Sequence, residues 1–227
     1  HRAMLFVKIG KRIGAGLVSD GALFRGAQGA VGLIGSVPVS SGERHGTLEI
    51  MAGSEAIIRD GRIQAEKGLS PILAEHARRG GEITAVEVAQ AAHMGDAAAI
   101  DILSQSGRMI GQVVATLANM LNPELIVLSG SIAQSNDILL AAAREAIYGA
   151  SHPLVSRDLQ IIRSQMGSSS GLVGAAIVAT ESLFSPAVLR DWIMAGRPQA
   201  HPQFEALRGR LEAQTAAVAA VMPPPKT

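Results

Sequence analysis

Between Asp96 and Leu121, the residues Ile100, Leu103, Gly107, Ile110, Val114, Leu117 and Leu121 recur at alternating spacings of three and four. That stripe predicts one long amphipathic helix laid against a core. Asn122-Pro123 follows at once, and proline both lacks an amide donor and clashes with the preceding turn, so the helix must stop there. "ELIVLSG", residues 124–130, is then a continuous apolar run, the pattern of a strand covered on both faces rather than one. A helix that feeds directly into such a strand commits the chain to an α/β layer.

The flanking segments fit the same architecture. Residues 4–9 and 13–19 read as short strands, and Asp20-Gly21 suits the positive φ angles of a tight hairpin. A glycine-rich connector, residues 32–49, leads to three helices announced by Ser54, by Ser70 with Pro71, and by Thr84, with stops at Gly80 and Gly95. After the central strand, Ser135 is placed to cap a helix from about Asp137 to Tyr148, and "LQIIRS" reads as another strand. "SSSGLVGAAIVATESLF" is a small-residue helix in which Gly171, Gly174, Ala175 and Ala176 would permit close packing on a neighbour. Strands first, then helices alternating with single strands, predict a mixed sheet with packed helices over residues 1–196. Residues 197–227, rich in Pro, Ala and Gln, read as a low-complexity tail, partly helical or disordered.

Composition narrows the function. With 227 residues, 48% apolar, and a formal net charge of +1, the chain has material for a sizeable core and no basic face that would predict DNA binding by this segment. Zero cysteines remove disulfides and thiolate metal sites, and His1, His45, His76, His93, His152 and His201 form no i, i+4 pair, so no metal site is expected. No apolar run reaches the roughly 20 residues of a membrane span. A cytoplasmic location and no membrane partner are expected. "MLFVKIG" begins without any polar lead, as in a fragment of a longer protein.

Three stretches carry more than general α/β patterning. "IGAGLVSDGALFRGAQGAVGLIG", "AAAIDILSQSGRMIGQVVATLANMLNPELIVLSGSIA" and "SSSGLVGAAIVA" resemble, in order and spacing, the C-terminal lobe of the ROK family of bacterial repressors and sugar kinases. The likeness spans about residues 5–195, and "LFSPAVLRDW" is similar to the repressor branch. It implies an actin-like ATPase (ribonuclease H-like) lobe from an N-terminally truncated, two-lobed protein with a sugar pocket in the cleft. It also implies that the first phosphate motif, the catalytic aspartate and any winged helix belong upstream.

Set against that pattern, this chain departs at its chemistry. The family's second phosphate loop is a Gly-Thr-Gly turn, whereas here the place reads Gly10-Lys11-Arg12, with Gly14 and Gly16 beyond it; the loop bordering adenosine corresponds to Gly130 and Ser131. "GSSSG", residues 167–171, precedes a helix and suits either anion binding or, more simply, capping. In the sugar loop, the family's glutamate and histidine positions are Leu33 and Ser36, and the last zinc-ligating cysteine is Thr47. The zinc site is therefore lost. Ser36 can donate one hydrogen bond, Leu33 none, and Glu49 matches the remaining sugar-binding glutamate, although a carboxylate in a first helical turn also suits the helix dipole. The resemblance thus implies the sugar-effector-binding part of a transcriptional regulator that forms a homodimer and reaches DNA only through another domain, with no cofactor. The alternatives are a fragment of a glucokinase-like enzyme, which would use ATP and Mg, and a scaffold that binds nothing.

Overall fold

The computed structural model describes residues 1–135, 137–196, 204–206 and 208–209, so most of the expected tail lies outside the described residues. Three N-terminal strands, β1 (Met4–Lys8), β2 (Gly14–Ser19) and β3 (Ala22–Phe24), form an antiparallel meander. Asp20 and Gly21 turn its second corner with φ of 52° and 77°, the doubly positive geometry a two-residue hairpin needs. A second, two-stranded sheet follows, made by β4 (Pro38–Ser41) and β5 (Arg44–Thr47), with Val39 opposite Gly46. The expected connector is therefore a folded hairpin.

Five helices come next: α1 (Leu48–Ala52), α2 (Ser54–Glu66), α3 (Pro71–Arg78), α4 (Ala85–His93) and α5 (Ala97–Leu121). Gly53, not Ser54, occupies the N-cap of α2, whereas Ser70, Thr84 and Asp96 each accept a backbone amide as caps of α3, α4 and α5. Asp96 serves two helices at once. One oxygen accepts the Ala99 amide at 3.0 Å, and the other accepts the Ser70 hydroxyl at 2.7 Å and the Ile72 amide at 3.4 Å. Asn122 ends α5 with a φ of 44°, a left-handed conformation that asparagine tolerates.

Strand β6 (Leu125–Ser129) then enters beside β1 in parallel, followed by α6 (Ser131–Ser135), α7 (Asp137–Ala150), α8 (Pro153–Ser156) and β7 (Gln160–Arg163). The five-stranded sheet has the order β3-β2-β1-β6-β7, antiparallel on one side of β1 and parallel on the other. All of β6 is buried, as its unbroken apolar run predicts. Ser135, expected as the cap of α7, is the last residue of α6. Leu5, Val7, Ile9, Ile126 and Leu128 share one core with Leu103, Ile110 and Val114 of α5 and Leu139, Leu140 and Ile147 of α7.

Glycine sets the spacing of α5 against α7. A Cβ on Gly107 would stand 2.4 Å from the Leu139 carbonyl oxygen, and one on Gly111 2.6 Å from that of Ala143, so only hydrogen fits at either place.

The chain divides into two compact units, His1–Ser168 and Ser169–Thr227. The second contains α9 (Ser170–Leu183) and α10 (Pro186–Ala195). Within that unit, a Cβ on Gly171 or Gly174 would meet no described atom within 4 Å. Nor does Ser169 cap α9 with its side chain, since its αR backbone is unlike the extended conformation of a capping residue. Among the described residues no single helix is long and apolar enough to cross a membrane; only α9 together with Val188–Met194, a pair bent by 53°, reaches that threshold.

Candidate functional site

Strands β1, β6 and β7 run in parallel, so their carboxyl ends lie along one edge, and β1 is where strand direction changes across the sheet. Open α/β sheets hold ligands at such an edge. Gly10, Gly130 and Ser131 gather here, with the Gly10 Cβ position 3.8 Å from the Ser131 hydroxyl oxygen. Gly130 has a φ of 106°, and a Cβ there would stand 2.0 Å from the Ile9 carbonyl oxygen, so a side chain is excluded by both strain and contact. Gly14 and Gly16 do not join this group. They lie within β2, opposite Lys8 and Phe6, as ordinary strand residues.

The loop after the meander comes back over β2. Gly32, with a φ of 91°, accepts the Ala15 amide on its carbonyl oxygen at 2.8 Å, and its own Cβ position is 1.7 Å from the Ala15 carbonyl oxygen. Leu33 is exposed to 69% at the mouth of an apolar pocket of about 170 Å³, beside Leu17, Ile34 and Leu117. Ser36 ends a 3-10 turn over Ile34–Ser36, and its exposed hydroxyl has no hydrogen-bond partner among the described residues.

Glu49, half-buried in the first turn of α1, reaches neither end of its own helix. Its Oε2 accepts the amide of Ile13, 3.1 Å away in the β1–β2 hairpin tip. Backbone bonds reinforce the joint, Gly35 donating to the Ile13 carbonyl and Ser54 to the Gly10 carbonyl, both at 3.1 Å. Gly35 is obligatory in this corner, because its Cβ position lies 2.4 Å from the Ile13 carbonyl oxygen and 3.0 Å from Glu49 Oε2. Sequence reasoning missed Gly32 and Gly35, whose only signal was the density of glycines.

These residues do not suit the groups that the resemblance would bring. In the loop that corresponds to the family's second phosphate turn, the Ile13 amide is committed to the carboxylate of Glu49. Lys11 is drawn outward to an exposed ion pair with Glu55 at 3.3 Å, and Arg12 is exposed. His45 is exposed on β5.

A wider cavity lies elsewhere. A groove of about 910 Å³ is bordered by Ile50, Leu69 and Asp101 and by Arg44, Asp60 and Lys67, and none of the expected site residues lines it. Arg44 grips Asp60 with two nitrogens at 3.0 and 3.4 Å, and Arg59 adds a third bond at 2.9 Å. Arg44 comes from the unforeseen hairpin, so no sequence spacing could have assembled this cluster.

Known proteins share this fold. The chain is 27% identical over 183 residues to the DNA-binding transcriptional repressor Mlc of Escherichia coli (strain K12), covering 78% of this chain and 44% of that protein. It is 28% identical over 179 residues to the glucokinase of Halalkalibacterium halodurans, covering 75% and 54%. A crystal structure of a ROK family transcriptional regulator, a homologue of the E. coli MLC protein, superposes with a TM-score of 0.69 at 28% identity, covering 79% of this chain and 46% of that one. The chain thus spans about half the length of these relatives. The mixed sheet with packed helices is the actin-like ATPase lobe of these proteins, whose members include both repressors and sugar kinases. A family model, that of the ROK family, matches residues 1–182, and the chain belongs to the ROK family.

Proposed function

We propose that this chain is the sugar-sensing and dimer-forming part of a ROK-type transcriptional regulator, with DNA contacted by a segment other than these 227 residues. The observation that carries the reading is the altered phosphate loop, with Lys11 turned outward to Glu55 and Arg12 exposed. A kinase would need the backbone to approach the phosphates of ATP closely in this loop, where Gly10-Lys11-Arg12 stands in place of Gly-Thr-Gly. A sensor has no such requirement. It needs a ligand whose binding favours one conformation over another, and Glu49 with Ser36 supplies one acceptor and one hydroxyl for a polyol at the edge of the sheet.

The complete protein is expected to be thermally stabilised by a hexose, to turn over no ATP in its presence, and to lose most of that stabilisation on Glu49→Ala. Differential scanning fluorimetry with a hexose panel, paired with a coupled ADP assay, measures all three. Steady hexose-dependent ADP release would establish the second reading, a sugar kinase, which the 28% identity to a glucokinase supports. No thermal response to any hexose would leave a scaffold, the reading that exposed, apolar Leu33 favours.

A further inference from the structure

We infer that the groove bordered by Arg44, Arg59 and Lys67 is a second binding site, one that takes a small monoanionic carboxylate with an apolar chain. The inference goes beyond the sugar-sensing reading and shares none of the residues on which that reading rests. The groove measures about 910 Å³, the size of a small-ligand site, and β5, α1, α2 and α5 of one compact unit border it. Arg44 holds Asp60 with two nitrogens at 3.0 and 3.4 Å, which leaves most of its N–H donors uncommitted. Arg59 gives Nε to Asp60 at 2.9 Å and Nη1 to the Ile50 carbonyl at 3.2 Å, but its Nη2 is enclosed with no acceptor among the described residues. An unmet guanidinium donor in the wall of a groove is one that a bound anion completes.

Charge sets the ligand class. Besides His45, three cations, Arg44, Arg59 and Lys67, line the groove with two carboxylates, Asp60 and Asp101. One net positive charge is left over. A carboxylate neutralises it, whereas a dianionic phosphate would bring its second charge against Asp60 and Asp101. A nucleic-acid backbone fits no better, because its phosphates would meet both carboxylates along with the cations. The apolar chain follows from the rest of the wall, where Ile50 is 60% exposed, Leu69 62% and Ile63 37%. A hydrocarbon of several carbons laid along these side chains is removed from water together with them. The arginine corner itself is held by the hairpin. Ser41, paired with Arg44 across β4 and β5, accepts the Gln105 side-chain amide of α5 at 2.6 Å, so Arg44 reaches Asp60 of α2 from a strand already fixed to α5.

Methyl NMR on the full chain, with octanoate as the probe, tests the site. Octanoate is expected to shift the Ile50 and Ile63 methyl signals saturably and to leave that of buried Ile126 in β6 unmoved. Octanol, which lacks the charge, and octyl phosphate, which carries about two, should each bind at least about threefold more weakly. Hexanoate should bind about fourfold more weakly, the effect of two methylenes at roughly half of full burial. Arg44→Gln should lower octanoate affinity about fivefold, the upper range for a partly exposed ion pair, with an unmoved Ile126 signal showing that the fold is kept. Arg157→Gln, which removes an exposed cation outside the groove, should change nothing. Ile50→Ser should narrow the gap between octanoate and hexanoate. No saturable shift at Ile50 and Ile63, equal binding of octanol, tighter binding of octyl phosphate, or equal losses in Arg44→Gln and Arg157→Gln would each overturn the proposal. So would octanoate shifts spread over methyl groups throughout the chain, which would mark unspecific adhesion. None of these outcomes bears on the hexose response, so the groove and the sugar-sensing reading fail separately.

Discussion

Two helices of this protein, α5 and α9, are built with small residues at close intervals, and they behave differently. In α5, Gly107 and Gly111 lie against the backbone of α7 with no room for a methyl group. In α9, Gly171 and Gly174 face no described atom of their own unit within 4 Å. Small residues permit close approach; they do not drive it. What drives it in α5 is the apolar stripe, which places Leu103, Ile110 and Val114 fully inside the core beside Leu139 and Ile147. Helix α9 is apolar around much of its circumference, with Leu172 77% and Ile177 52% exposed, and so specifies no single face.

The contrast can be broken most severely by placing valine at both Gly107 and Gly111. Overpacking at two sites of one helix contact should cost about 4 kcal/mol, read as a lower urea midpoint for the His1–Ser168 unit. Next is Asp96→Ala, which strips caps from α3 and α5 and leaves the buried Ser70 hydroxyl without its acceptor; about 3 kcal/mol is expected from the lost cap and the orphaned group together. A loss under about 1 kcal/mol would show that water replaces the carboxylate there. Gly174→Ala should act in the opposite direction, stabilising α9 by about 0.5–1 kcal/mol through helix propensity alone. Loss of helical circular dichroism in that variant would mean that α9 does pack tightly through Gly174.

The smallest effect concerns α4, where Glu87 completes the capping box by accepting the Thr84 amide at 3.2 Å and also the Thr84 hydroxyl. That hydroxyl, with backbone amides adding to it, holds the Glu87 carboxyl below its ordinary value of 4.5. A depressed pKa in the folded state means that the carboxylate's contribution is complete above that ordinary value and is lost as pH falls through the lowered one. Thr84→Ala should flatten this acid limb in a pH series of unfolding midpoints, and an unchanged limb would assign the acid sensitivity to other carboxylates.

Legibility followed the range of the interaction. The caps Ser70 and Thr84, the stop at Asn122-Pro123, and the turn at Asp20-Gly21 are local, and each was readable from a few neighbouring residues. The β4–β5 hairpin was not, because "PVSS" and "RHGT" lack an apolar alternation, and Ser41 is held instead by Gln105 of α5 at 2.6 Å. The glycines show both cases: Gly14 and Gly16 lie in β2, within the strand read over residues 13–19, while Gly32 and Gly35, read as connector, sit in tight corners. Their difference lies in what passes nearby, which no short window contains.

By itself, the sequence determined the α/β class, the long central helix, the two-face-buried strand after it, and the family to which the chain belongs, because periodicity, capping and motif order are properties of neighbouring residues. Only the tertiary structure decided that the Glu49 carboxylate closes on the Ile13 amide, that Asp96 caps two helices, and that Arg44 meets Asp60 over a groove. Each of those contacts joins segments many residues apart, and a hydrogen bond that forms at about 3 Å is decided by how the chain packs, not by the order in which it is written.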